Sequence, residues 1–324
     1  MKKLPFFIFL SIAFLIVGSF PFAVKKVSVS NKKPEKQGYS AIIEVWQLDM
    51  FEGGTGSRRN YLSGTAKEFE KRNCGVVVSV ISLTKFSAEE KMKQGIYPDV
   101  ISYSPGLNGV ECKMLPLGKA DGYGGCYGKK SYAVAWAVGG YALYNKKNVK
   151  ADTLIISQGE YTQPLIAYYL SGLNFSNVVI KKPKEAYTDF ITKNNCALLS
   201  TQRDAFRLKS KNVEFEAQPV SDFSDLVQYV SVTSDGEKTE ISKKFVSFLL
   251  ENGKNLESSI GLMPPCGMTV NSADSPINFF YGYKPEKTLS VFTSPQALKE
   301  MQNYLGDNAL SREEKMIRIK NLLQ

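Results

Sequence analysis

From residue 42 the apolar positions alternate between two periods. Residues 42–47 (IIEVWQ) form a short, mostly apolar run that predicts a strand. Residues 58–72 place Leu62, Ala66 and Phe69 at i, i+4 and i+7, the stripe of an amphipathic helix. Residues 76–83 (VVVSVISL) are strongly β-branched and predict a second strand. Ser87 with Glu90 reads as a capping box that opens a short helix ending near Gly95. Residues 99–103 (DVISY), introduced by Pro98 and stopped by Pro105–Gly106, predict a third strand. Strand, helix, strand, helix, strand with short connections implies right-handed crossovers and a parallel, doubly wound sheet.

The rest of the chain is less regular. Residues 106–130 are rich in Gly, Lys and Tyr and read as loop. Residues 131–144 (SYAVAWAVGGYALY) suggest two strands joined at Gly139–Gly140, which suits a chain leaving one domain for another. Helical stretches follow near 162–170 and 186–191, with strands near 178–180, 196–200 and 227–233. Residues 240–250 put Ile241, Phe245, Phe248 and Leu249 on one helical face. Ser294–Pro295 is an N-cap followed by proline at the first helical position, and Ser311 with Glu314 caps a last helix.

An open α/β sheet binds ligands beyond the carboxyl ends of its strands. Gln47, Asp49 and Glu52 follow the first strand, Thr84 the second, and Ser102 and Ser104 end the third. The loop Gly53–Gly54–Thr55–Gly56–Ser57 enters the first helix at Arg58. Its N–H groups can meet a polar ligand at the positive helix end, or its glycines can simply make a tight turn. It matches neither a P-loop nor a GxGxxG fingerprint.

Composition removes several chemistries. The 324 residues contain no histidine, which excludes a Ser-His-Asp triad, a Cys-His dyad and His-ligated zinc or haem. The five cysteines (Cys74, Cys112, Cys126, Cys196, Cys266) have no metal or disulfide-scaffold spacing, so no metal site and no cofactor is expected. The net charge is +10, but residues 1–40 hold seven lysines and one glutamate, leaving only +4 for the remaining 284 residues. No basic patch of the kind nucleic acid requires stands out in the body.

Lys2 and Lys3 precede an uncharged apolar stretch of 21 residues, 4–24, long enough to cross a bilayer core as a helix and equally suited to a signal peptide. No cysteine near its end offers a lipid attachment point. Residues 25–38 are lysine-rich and polar, and read as a tether. The expected location is the extracytoplasmic face of the membrane, N-terminally anchored, or outside the cell.

The segments quoted above, together with FEKRNCG, YPDVISYSPG, CALLSTQRDAFRL and VSFLLENGKNLESSIGLMPP, occur in an order that resembles the extracellular solute-binding proteins of carbohydrate ABC importers, the family that includes maltose-binding protein. The resemblance spans most of residues 42–265, with Ala135 where the family usually has proline. It implies a two-lobed, hinge-linked α/β fold of the periplasmic-binding-protein type II. Lobe 1 would take residues 39–140 and 227–275, and lobe 2 would take 141–226 and 276–324 with the C-terminal helices. It further implies a carbohydrate ligand between the lobes and a partner permease. The second lobe is shorter than is usual in the family.

Sugar recognition needs aromatic platforms and planar polar groups. The candidate ligand residues are therefore Gln47, Asp49, Glu52, Arg58, Ser102, Ser104, Trp136, Gln202 and Arg203, with Trp136 in the inferred crossover and Gln202–Arg203 in a second-lobe loop. Trp136 can equally be hinge core, and Trp46 suits the core better. Tyr281 and Tyr283 can line the mouth of the cleft or pack internally. No catalytic residue is assigned and an enzyme is not expected, although Asp49 and Glu52 could in principle act as an acid–base pair. The competing expectation is a membrane-tethered relative with a sensing or envelope-contact role and no transport.

Overall fold

The structure is a computed structural model that describes residues 41–119, 124–252, 255–267 and 274–323. The apolar stretch and the tether assigned to residues 1–38 lie outside the described residues. None of the described helices is long and apolar enough to cross a membrane.

The first five expected elements are present as β1 (Ala41–Leu48), α1 (Arg58–Arg72), β2 (Val76–Leu83), α2 (Lys85–Lys93) and β3 (Val100–Tyr103). β1 runs parallel to both neighbours, with Trp46 opposite Ile81 in β2 and Ile101 in β3. α1 buries Leu62, Ala66 and Phe69 as the periodicity requires, and Ser57 caps it by accepting from the Asn60 N–H at 3.3 Å. The cap of α2 differs from expectation. Thr84, three residues earlier than Ser87, takes the N-cap and accepts from the Ser87 N–H at 3.1 Å. An extended Thr84 finishes β2 and caps α2 at once, which leaves no loop between them.

The sheet is completed by strands from distant parts of the chain. β7 (Val134–Val138) and β13 (Val227–Val232) give the order β2-β1-β3-β13-β7, with β13 antiparallel to both neighbours. α6 (Thr239–Glu251) and α7 (Leu256–Ile260) pack beside α1. Residues 106–130 are not all loop. β4 (Gly118–Lys119), β5 (Cys126–Tyr127) and β6 (Lys130–Ser131) form a small antiparallel sheet, too short to leave a periodic signature.

A second sheet repeats the plan. β8 (Tyr141–Lys146), β9 (Thr153–Ser157), β10 (Asn177–Lys181), β11 (Cys196–Thr201) and β12 (Phe215–Pro219) stand in the order β10-β9-β11-β8-β12. The β10-β9-β11 trio is parallel and the two remaining strands are antiparallel. α3 (Pro164–Leu170), α4 (Pro183–Thr192) and α5 (Arg203–Ser210) connect these strands. α8 (Pro295–Gly306) and α9 (Arg312–Leu323) return from the C-terminal region to pack on α3. Ser294 caps α8, and Ser311 with Glu314 forms the expected reciprocal box on α9.

Each sheet with its helices is a lobe, and the chain passes between the lobes at Gly139–Gly140 and again at residues 220–226. A Cβ on Gly140 would lie 2.5 Å from Cε1 of Phe280, so a side chain there forces the ring away. Gly140→Ala is expected to lower stability by about 1–3 kcal/mol, the usual cost of overpacking. Urea unfolding would measure it, and an unchanged midpoint would show that the ring yields freely.

Candidate functional site

The carboxyl ends of the two parallel trios face each other. The loop after β1 meets the start of α5, where Glu52 forms an ion pair with Arg203. The start of α2 meets the loop after β9, where the Lys85 ammonium lies 5.5 Å from the centroid of the Tyr161 ring. Gly106, after β3, lies under Leu298 of α8, and a Cβ there would come within 2.7 Å of Leu298 Cδ1. The lobes are thus in contact along one cleft.

The first lobe's side of the cleft is built on Arg58. Its guanidinium is 3% exposed, donates to Asp49 Oδ1 at 3.0 Å and to the Phe51 carbonyl at 2.9 Å, and sits 4.1 Å from the centre of the Phe51 ring. Burial pushes its pKa down while Asp49 pulls it back up. Asp49 keeps 53% of its side chain exposed at the cleft mouth. Gln47 is fully buried and donates to the Leu48 carbonyl and to Asp49 Oδ1, both at 3.0 Å.

The glycine-rich loop has an internal partner. The Gly54 N–H donates to the Ile260 carbonyl at 3.0 Å, and a Cβ on Gly54 would stand 2.2 Å from the Gly261 Cα. The glycines allow the loop before α1 to meet the C-terminal end of α7 backbone to backbone.

Besides Gln47 and Arg58, four more of the expected ligand residues are buried. Trp136 is 2% exposed, stacks on Tyr61 of α1 at 5.6 Å and 11°, and donates from Nε1 to Ser102 Oγ at 2.9 Å. Ser102 also accepts from Gln228 Nε2 at 3.0 Å, and Ser104 Oγ reaches Gln228 Oε1 at 3.5 Å. These groups stitch β1, β3, β7 and β13 together as contacts within the sheet. The physical reason is the pleat: Ser102 and Trp136 share the face that α1 covers. Gln202 is likewise a crossover clamp. It is fully buried, and its Oε1 accepts from the Gly140 N–H at 3.1 Å. Trp46 is core, with Nε1 on Glu44 Oε1 at 2.5 Å. Tyr281 is exposed, and Tyr283 packs at the crossover against Phe280.

Buried polar atoms without a protein hydrogen bond concentrate at these strand ends. They include Gln47 Oε1 and Arg58 Nε in the first lobe, and Gln158 Oε1, Gln163 Oε1, Thr201 Oγ1 and Gln202 Nε2 in the second. Leaving such a group unpaired costs about 1–3 kcal/mol, so each is a position where a hydroxyl partner would be useful. Gln158 escaped the sequence reading because β9 was not recognised; its run TLIIS followed by Gln158–Gly159 was the available signal. Thr201 and Gln163 stand at the end of a strand and the start of a helix that were read, but were not singled out there. Asp204, beside Arg203, is held by Ser200 at 2.6 Å and Arg207 at 2.8 Å; burial pushes its carboxyl up, and the charge of Glu52 adds to the push.

No family model matches the chain, and no curated protein sequence does. Solved structures do match over most of its length. The sugar-binding protein MalE of Xanthomonas citri superposes with a TM-score of 0.59 at 12% identity, over 87% of this chain and 96% of that one. The maltose/maltodextrin-binding domain MalE of Bdellovibrio bacteriovorus, bound to maltotriose, gives 0.52 at 14% identity over 87% and 99%. The Thermus thermophilus maltotriose-binding protein, also bound to maltotriose, gives 0.51 at 12% identity over 87% and 98%. The chain therefore has the two-lobed α/β fold of these sugar-binding proteins.

Proposed function

We propose that this protein is an extracytoplasmic solute-binding protein that takes a carbohydrate between its lobes and delivers it to an ABC permease, held at the membrane by its N-terminal segment. The observation that carries this is the set of buried amide, guanidinium and hydroxyl atoms without a protein partner that lie in or after the parallel strands of both lobes. Three of the amide atoms are acceptors, which suits the hydroxyl donors of a sugar. Asp49, Glu52 and Arg203 are the exposed ligand candidates, and Gln47, Arg58, Gln163 and Thr201 the buried ones. Two neighbours of the same fold were solved bound to maltotriose.

A thermal-unfolding screen against mono- and oligosaccharides tests the reading. A ligand at 100 times its Kd should add about 2.7 kcal/mol of stability. Thr201→Val refines the test, because the buried hydroxyl has no protein partner to lose. Stability without ligand is expected to stay the same or rise, while affinity falls roughly fivefold, the worth of one hydrogen bond. Equal affinity in the two proteins would remove Thr201 from the site.

One feature favours the second reading, a tethered relative that senses or contacts envelope proteins without transport. Leu298 over Gly106 and the Glu52–Arg203 pair already occupy space between the lobes. No stabilisation by any sugar at millimolar concentration would decide for it.

A further inference from the structure

We propose, resting on the cleft reading above, that the Glu52–Arg203 ion pair is a latch that ties the two lobes together and must break for ligand to exchange. Glu52 projects from the loop that follows β1, and Arg203 is the first residue of α5, so the pair ties one lobe to the other. Their neighbours are already committed. Arg58 is engaged by Asp49 and the Phe51 carbonyl, and Asp204 by Ser200 and Arg207. Glu52 and Arg203 are therefore each other's natural counter-ions across the cleft.

Both side chains remain more than one-third exposed, at 40% and 37%. Water can reach and replace such a pair, so it opens readily, unlike a desolvated one. Two weaker ties act in the same sense, the Lys85–Tyr161 contact and the seat of Leu298 on Gly106. The glycine pair at 139–140 and the return at 220–226 supply the pivot. A sugar that engages Glu52 or Arg203 competes with the latch, which couples binding to lobe movement.

Hydrogen exchange of the full chain without ligand tests this by mass spectrometry, in wild type, Glu52→Gln, Arg203→Gln and the double variant. Each single change is expected to speed exchange of residues 49–57, 158–163 and 201–208 by about two- to fivefold, the range for an exposed ion pair. The double variant should exchange no faster than the faster single one, because the same contact is lost. Wild-type exchange in both single variants would overturn the latch. So would additive effects in the double variant, or acceleration spread evenly over the core strands. No ligand enters the experiment, so its outcome is separate from whether a sugar binds.

Discussion

Trp136→Ala is expected to lower the free energy of unfolding by about 3–5 kcal/mol, the range for deleting a buried large aromatic. The indole is 2% exposed, its face covers Tyr61, and its Nε1–H is spent on Ser102. Removing it opens a cavity between β7 and α1 and leaves Ser102 with Gln228 as its remaining donor. Trp136→Phe keeps most of the stacking and loses the hydrogen bond, so about 1 kcal/mol is expected there. Urea titration of both variants measures the difference. A stability loss under 1 kcal/mol with abolished sugar binding would return Trp136 to the ligand site.

The second large effect concerns pH. Asp225 lies in the crossover, 4% exposed, and accepts from Tyr141 Oη at 2.7 Å and from the Gln163 N–H at 2.8 Å. Those bonds favour the charged form, but burial outweighs them and its pKa is pushed up to about 6. The unfolded value is about 3.9, so the folded protein binds this proton more tightly. The associated stability is fully present below about pH 4, falls as pH rises, and is lost above about pH 6, for a total of about 3 kcal/mol. Between pH 4.5 and 7.5 the wild type should lose about 2 kcal/mol. Asp204, raised in the same direction, adds to this slope. Asp225→Asn should flatten the Asp225 part while lowering stability overall, because one of two donors then faces an amide N–H. An unfolding series across this window that rises with pH would refute the assignment.

The local elements of the first lobe were legible because their signals are local. Helix α1 and strand β2 have the expected bounds, since a stripe of Leu62, Ala66 and Phe69 and a β-branched octapeptide leave few alternatives. The capping residue of α2 was misplaced because Thr84 and Ser87 both offer hydroxyls, and only the path of β2 selects between them. β9 and β12 went unread. β9 is a short strand buried by neighbours remote in sequence, and β12 lies at the sheet edge with alternating, half-exposed residues.

The site divides along the same line. Asp49, Glu52, Arg58 and Arg203 do come to the cleft, because strand ends and a helix start are positions that order along the chain determines. Whether a residue beside a strand end points into the cleft or into the sheet depends on pleat phase and on which helix covers that face. Ser102, Ser104 and Trp136 face into the sheet for that reason, and Gln202 gives its Oε1 to the Gly140 N–H while its Nε2 has no protein partner. By itself the sequence determined an α/β chain with a doubly wound first lobe, a glycine crossover and a family likeness. The tertiary structure decided how two sheets share their crossing strands, which polar atoms are left unpaired where the lobes meet, and that Glu52 and Arg203 pair at all. Those outcomes depend on contacts between residues some 150 positions apart, which no local pattern of hydrophobic and polar residues encodes.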